Sequence, residues 1–224
     1  MPLQLRDGVF QCFCGTRAIF LDSQANRYFA LPPKKEVAFR KIVDNERLDR
    51  CDRELVEELV TDGVLARSPM SPSAHWPEPI PAPVGDLPRA MAERPSAFLV
   101  LKAICARLWA RRLVDGNGIA ELRRLLERLP KPDSTPRGSS PNQRLAELIS
   151  AFDLADRLIS ARDQCLPRSL AMHRLAKAFG ANVHMVLGVR AEPFAAHCWV
   201  EFEQRVITGD FEQARLFTPI MRIE

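Results

Sequence analysis

The sequence of 224 residues lacks the signals of several common protein classes. No basic stretch followed by an apolar one opens the chain, so we expect no signal peptide. The longest apolar run, residues 97–110, is interrupted by Lys102 and Arg107 and is too short to cross a bilayer, so we expect no membrane insertion. Neither a P-loop nor a glycine fingerprint is present, which argues against nucleotide binding.

Metal-binding and nucleic-acid-binding patterns are also missing. Cys12 and Cys14 lie two residues apart without a second Cys or His pair nearby, and His173 and His184 have no partners at metal-ligand spacing. We therefore predict no metal and no other cofactor. The net charge of +4 is modest and spread along the chain, so it does not predict a nucleic-acid partner. Six cysteines without extracellular signals favour a reducing cytoplasm.

The sequence does contain enough apolar material for real cores, at 46% of its residues, and a clear change of composition. Eight of the eighteen prolines fall within residues 68–95. Because proline lacks a backbone donor and favours extended polyproline geometry, this stretch is predicted to be a semi-rigid linker. The chain therefore divides into a first domain at 1–67, a linker at 68–95 and a second domain at 96–224.

The first domain begins with strand patterns and ends with helical ones. Three short strands are predicted at 9–14, 18–22 and 27–31, and helical spacing follows the proline pair at 32–33. This order predicts a small winged-helix-like domain. DNA binding is disfavoured because its last helix carries three glutamates that would repel phosphate: Glu54, Glu57 and Glu58.

The second domain has helical patterns first and strand patterns last, which predicts an α+β fold for the chain. Helical spacing covers 97–112, 119–129 and 145–159, with a Pro/Ser-rich loop at 130–141. A further helix ends near residue 179 and must begin between 164 and 167, because Pro167 is tolerated only in the first turn. Strand patterns follow at 183–189, 194–202 and 206–210.

Cys165 is therefore predicted to lie at a helix N-terminus. The positive end of the helix dipole favours an anion there, so the thiolate needed for nucleophilic attack is stabilised. The unpaired N–H groups of the first turn could also hold an oxyanion. The sequence thus marks Cys165 as a candidate nucleophile.

His197 and Asp210 supply the remaining parts of a thiol-based site. Residues 196–202 alternate, so His197 faces away from Cys198, and we expect Cys198 to point into the core. Glu201 shares the histidine's face but lies about 13 Å along the strand, too far to hold the imidazole. A tight return would place the strand at 206–210 antiparallel beside the histidine strand, so Asp210 is the predicted orienting acid.

Each of these residues also has a structural explanation. A single cysteine is more often a small buried hydrophobe, and a strand histidine more often a hydrogen-bonded structural residue. The combination with the helix-start proline and the strand pair favours catalysis.

A set of short motifs resembles the B proteins of lasso peptide biosynthesis, which are leader peptidases. The motifs are Cys165-Leu-Pro-Arg-Ser-Leu-Ala, Val186-Leu-Gly-Val-Arg190, Pro193-Phe, His197-Cys-Trp-Val-Glu201 and Asp210. The resemblance implies a transglutaminase-like or papain-like cysteine protease domain, with a helical lobe and an antiparallel sheet. It also implies that Cys165 is the nucleophile, His197 the base and Asp210 the orienting acid. Papain-like proteases use a glutamine several residues ahead of the cysteine in the oxyanion hole; here Gln164, directly adjacent, is the candidate beside the Cys165 N–H.

The first domain resembles a PqqD-like RiPP recognition element, through Ile19-Phe-Leu-Asp22 and Arg27-Tyr-Phe-Ala-Leu31. Such a domain can add a leader peptide to its sheet edge and take apolar side chains in a groove beside its last helix. The candidate contacts are Tyr28, Phe29, Leu55 and Leu59. The alternative for each of them is a place in the domain's own core.

The resemblance implies a precursor peptide as substrate and an ATP-using, asparagine-synthetase-like lasso cyclase as partner. Two other functions stay open. A related acyl transferase would use the same three residues and pass the thioester to an amine. A non-catalytic leader-binding scaffold would keep the fold without using the triad.

Overall fold

The computed structural model describes residues 2–68, 76–87, 95–128, 141–159 and 164–224. Its contacts divide the chain into two units, Met1–Ile80 and Pro81–Glu224. Both units combine helices and strands, which confirms the α+β class. The predicted domain boundaries and the likeness of the first unit to a recognition element stay predictions.

The described residues of the first unit form five strands and two helices. They are β1 (Leu3–Leu5), β2 (Val9–Cys14), β3 (Arg17–Asp22), β4 (Arg27–Ala30), α1 (Pro33–Val43), α2 (Arg50–Thr61) and β5 (Leu65–Arg67). An antiparallel sheet has the order β2-β3-β4, and β1 pairs with β5 in a separate antiparallel sheet. Asp49 begins α2 with a reciprocal cap, because the Asp49 carboxylate accepts from the Asp52 N–H and the Asp52 carboxylate accepts from the Asp49 N–H.

The core of the first unit is aromatic. Phe20 and Phe39 are fully buried with ring centroids 5.1 Å apart in an edge-to-face arrangement. Phe29 stacks on Phe20, also at 5.1 Å, and Trp76 lies edge-on to Phe39 at 5.5 Å. These contacts pack the three-stranded sheet against α1.

The second unit has a helical layer packed on a five-stranded sheet. Its helices are α3 (Ala97–Gly116), α4 (Ile119–Glu127), α5 (Pro141–Leu158), α6 (Cys165–Ala178) and α7 (Phe211–Ala214). Its strands are β6 (Gly85–Asp86), β7 (Val183–Arg190), β8 (Ala195–Phe202), β9 (Arg205–Val206) and β10 (Thr218–Ile223). Helix α3 contacts α5 and α6, and α6 lies on β7 and β8. None of the helices in the described part of the chain has the length and hydropathy needed to cross a membrane.

The sheet of the second unit has the order β10-β7-β8-β9-β6. The pairs β10–β7, β7–β8 and β8–β9 are antiparallel, and the edge strand β6 runs parallel to β9. The histidine strand β8 is therefore central. Burial follows from this position, because Trp199, Val200 and Glu201 are all buried although they point to alternating faces.

Most predicted elements form, with differences at the ends and edges. The strands at 9–14, 18–22, 183–189 and 194–202 and the helix start at Cys165 are confirmed. The predicted strand at 206–210 is wrong, because β9 ends at Val206. Residues 84–87, predicted as linker, join the sheet edge instead. Predictions for residues 69–75, 88–94 and 129–140 lie outside the described residues.

Candidate active site

Cys165 is the first residue of α6, which places Pro167 in the first turn of the helix, where proline is tolerated. Gln164 occupies the preceding cap position, and its backbone carbonyl accepts from the Arg168 N–H at 3.0 Å. The Cys165 side chain is half-buried, which leaves part of its surface open. The sulfur thus combines partial exposure with the positive end of a 14-residue helix.

His197 is the third residue of β8 and lies opposite Gly188 of β7. Its imidazole is half-buried and packs near two aromatic rings. The Trp199 ring is nearly parallel to it, with centroids 6.0 Å apart, and the Phe217 ring lies 5.1 Å away. The two rings limit the orientations that the imidazole can take.

Trp199 is itself held from two sides. Its indole N–H donates to the buried carboxylate of Glu201 at 2.6 Å. A Cβ built on Gly188 would meet the indole ring at 2.6 Å, so the ring occupies the space that any side chain at position 188 would need. Glu201 therefore does not reach the histidine, as predicted, but it fixes the tryptophan that packs against it.

Asp210 lies in a turn rather than on a strand. After β9 the chain passes through Thr208, whose hydroxyl accepts from the Val200 N–H at 2.8 Å, and through Gly209, which has a φ of +79°. Asp210 then caps α7, because its Oδ1 accepts from the Gln213 N–H at 2.8 Å. The predicted antiparallel extension of β9 is replaced by this cap, and the carboxylate is solvent-exposed.

A cavity of about 600 Å³ brings these side chains together. Cys165, His197 and Asp210 all line it, although they come from a helix, a strand and a turn. The other lining residues include Asp153, Asp156, Gln164, Arg168, Ser169, Cys198, Thr208, Gln213 and Phe217. The volume is in the range of small-molecule and peptide side-chain sites.

Arg107, which interrupts the apolar run of α3, contacts two residues that line this cavity. Arg107 is 2% exposed on α3, and it donates to Asp156 at 2.5 Å and to the Gln164 side-chain oxygen at 3.4 Å. Arg168 pairs with the other Asp156 oxygen at 2.6 Å. A cation inside an apolar helical run requires a buried partner, which is the signal that could have indicated this network.

The Arg107 contact bears on the role predicted for Gln164. Since the amide oxygen faces the guanidinium, the amide nitrogen is directed elsewhere. Gln164 also lines the cavity. The oxyanion role of Gln164 and of the Cys165 N–H stays a prediction.

The ionisable groups of the cavity have perturbed environments. Burial lowers the pKa of His197 below its ordinary value; the Asp210 carboxylate raises it, and the Arg168 cation lowers it further. The imidazole is therefore mostly neutral at pH 7 and able to accept a proton. Burial raises the pKa of the Cys198 thiol far above its usual range, so Cys198 stays a neutral core thiol, as predicted.

The four residues predicted to contact a leader peptide lie in the first unit. Leu59 is fully buried and Phe29 packs on Phe20, so both contribute to the core. Tyr28 is half-buried on β4, and the half-buried Leu55 of α2 packs against the same core as Phe29. The core explanation left open by the sequence is therefore supported for Phe29, Leu55 and Leu59, and peptide binding by this surface stays a prediction.

Metal binding has no support in the described residues, where no group of three His, Cys, Asp or Glu side chains could hold an ion. His173 is instead fully buried within α6. Burial lowers its pKa to about 4, so it is a neutral core residue.

Comparison with known proteins defines the class. The family model of the transglutaminase-like superfamily matches residues 104–222, more than half of the chain, and this range contains Cys165, His197 and Asp210. The chain therefore belongs to the transglutaminase-like superfamily.

A curated relative is more specific. The chain is 36% identical over 59 residues to the microcin J25-processing protein McjB of Escherichia coli. This alignment covers 26% of the chain and 28% of McjB. No solved structure matches the chain significantly.

Proposed function

We propose that this protein is a cysteine peptidase that removes the leader from a lasso peptide precursor. The observation that carries the proposal is the cavity lined by Cys165, His197 and Asp210 in a chain of the transglutaminase-like superfamily. The similarity to a microcin-processing protein supports a ribosomally made peptide as substrate. The six free cysteines suit a cytoplasmic setting.

Catalysis begins when neutral His197 takes the proton of the Cys165 thiol. The sulfur attacks the carbonyl carbon of the amide between leader and core, and first-turn N–H groups of α6 stabilise the oxyanion. His197 then returns the proton to the leaving amine, which frees the N-terminus of the core peptide. Water attacks the thioester with His197 as base, and the leader leaves as a carboxylic acid while the thiol is regenerated.

The geometry of the aromatic rings explains why His197 suits this role. The Trp199 and Phe217 rings pack near the imidazole, and its burial lowers the pKa of His197, so the base form persists below the ordinary histidine pKa. Asp210 opposes this shift and stabilises the imidazolium during proton transfer.

The first unit is proposed to hold the leader. Strand β4 is the last strand of its sheet, and an extended peptide added to its free edge would lie near Tyr28. A lasso cyclase would receive the freed core. A Tyr28→Ala variant should bind a fluorescent leader peptide more weakly, whereas Leu101→Ala, at an exposed site of the second unit, should not.

Incubation of the chain with a synthetic lasso precursor, with and without cyclase and ATP, tests the proposal. Mass spectrometry should show free leader and free core. Cys165→Ala and His197→Ala should each lower cleavage by at least about a thousand-fold while leader binding persists. Cys105→Ala removes an exposed thiol that does not line the cavity and is the matched control.

The same experiment separates the other functions. If a competing amine is incorporated at the leader's new C-terminus in place of water, the enzyme is an acyl transferase. If processing by the cyclase-containing mixture is the same with Cys165→Ala, the chain is a binding scaffold and the peptidase proposal is wrong.

A further inference from the structure

Residues 84–87, within the proline-rich segment, are part of the sheet that carries the candidate site. Prolines at 77, 79, 81 and 83 have no N–H to donate, and pairing starts at Val84, immediately after the last of them. The Val84 N–H donates to the Gln204 carbonyl at 2.9 Å, and the Leu87 N–H donates to the Val206 carbonyl at 3.0 Å. Strand β6 thereby covers the outer edge of β9.

The side chain of Asp86 reaches past this edge to the turn that carries Asp210. Its Oδ1 accepts from the Phe211 N–H at 2.9 Å. That N–H belongs to the peptide bond joining Asp210 to Phe211, so the contact fixes the orientation of the peptide plane next to Asp210. Asp210 uses its own Oδ1 for the Gln213 N–H.

The Asp210 turn needs support from outside because its local structure is weak. It lies between Gly209, a residue with a positive φ, and α7, a helix of only four residues. One helical turn does not recover the cost of helix nucleation by itself. Two carboxylates therefore hold the first N–H groups of α7, one from Asp210 itself and one from the distant strand β6.

We infer that Asp86 is a positioning residue for Asp210: it holds the backbone of Asp210 so that the carboxylate is directed into the cavity toward His197. The inference rests on the proposed function, since it assigns Asp86 to the same site. Asp86 does not line the cavity and acts only through the turn.

The test compares full-length Asp86→Ala and Asp86→Asn with wild type on the synthetic precursor. Asp86→Ala should lower kcat about ten- to a hundred-fold with little change in KM, because the orienting acid is misplaced. The acid limb of its pH–rate profile should move to lower pH, since a displaced Asp210 no longer raises the pKa of His197. Asp86→Asn keeps an acceptor oxygen, so it should retain most of the wild-type kcat and the wild-type position of the acid limb in the pH–rate profile.

Glu78→Ala is the matched control, because it removes an exposed acid from the proline-rich segment before β6. It should leave kcat and the pH profile unchanged. Asp86→Ala with wild-type kcat and acid limb would overturn the inference while the proposed function stands. Equal losses in Asp86→Asn and Asp86→Ala would assign the effect to charge and would also overturn it.

Amide hydrogen exchange gives a readout that does not depend on turnover. In Asp86→Ala, the amides of residues 211–214 should exchange faster, while those of β7 keep wild-type rates. Unchanged exchange at 211–214 refutes the inference even if wild type proves unable to cleave the precursor. That inability would itself refute only the proposed function.

Discussion

Buried polar groups have different partners in the two units of this protein. In the first unit, Glu36 accepts from the Ala18 N–H at 2.7 Å, and Asp22 pairs with Arg6 at 2.7 Å, so these carboxylates secure turns and strand ends around an aromatic core. In the second unit, Arg107 and Ser169 contact residues that line a cavity. These buried groups therefore support strand ends and turns in the first unit and contact the candidate site in the second.

The comparison shows why burial alone does not identify a functional residue. Glu36 is buried like Glu201, but its carboxylate accepts from the Ala18 N–H and pairs with Arg17 and Arg40, all within the first unit. The bond of Glu201 ends at a tryptophan that packs on the candidate base. What a buried group contacts decides its contribution, and the comparison can be tested by changing one unit at a time.

The largest effect should come from the core of the first unit. Phe39→Ala removes a fully buried ring that contacts Phe20 and Trp76, and it should destabilise this unit by about 3–5 kcal/mol. Urea unfolding with hydrogen exchange resolved by unit measures the loss. Phe98→Ala, at a ring that is 75% exposed, is the control and should change stability little. An equal rise of amide hydrogen exchange in both units would contradict the prediction that the loss of stability is confined to the first unit.

Acid sensitivity should belong to the second unit. Because burial lowers the His173 pKa from 6.5 to about 4, the unfolded state binds its proton first as the pH falls. The free energy of unfolding should drop by about 3 kcal/mol between pH 6.5 and pH 4, with the full contribution present above pH 6.5. In His173→Leu, the free energy of unfolding should change less with pH across this range. An equally steep slope in that variant would contradict the assignment.

Gly188→Ala should affect both stability and activity of the second unit. The added methyl group meets the Trp199 ring at 2.6 Å and must displace it, at a cost of about 1–3 kcal/mol. Since the ring packs on His197, kcat for cleavage should fall as well. Gly116→Ala is the control, because a Cβ there meets nothing within 4 Å. Thermal unfolding and cleavage rates of both variants provide the comparison.

The smallest effect should come from the surface of the first unit. Arg50 and Glu54 form an ion pair at 3.3 Å on an exposed face of α2. Solvent screens such a pair, so Arg50→Ala should leave the unfolding midpoint unchanged within error. A clear loss of stability would show that surface charge matters more in this unit than its aromatic core suggests.

The sequence was most informative where a local rule acts. Pro167 restricts the helix start to its first turn, and this correctly placed Cys165 at the N-terminus of α6. Period-two alternation correctly predicted the histidine strand and the burial of Cys198. These features depend on neighbours within a few residues, which a sequence pattern records directly.

Features made by contacts between distant segments were missed. The two-residue strand β6 has no pattern of its own and forms only because the β9 edge is available. Arg107 contacts Gln164, 57 residues away, so its role is invisible in its own helix. Asp210 was expected on a strand but lies in a turn. The turn depends on a helix cap and on a contact with Asp86, neither of which the local sequence pattern records.

The sequence by itself determined the α+β class, the start of α6 at Cys165 and the set of three residues proposed for catalysis. The tertiary structure alone decided that Cys165, His197 and Asp210 line one cavity and that Asp86 holds the Asp210 turn. The physical reason is range. Helix starts and strand alternation follow from backbone sterics within a few residues, whereas side-chain contacts across 29 to 125 positions exist only after the sheet and helices have packed.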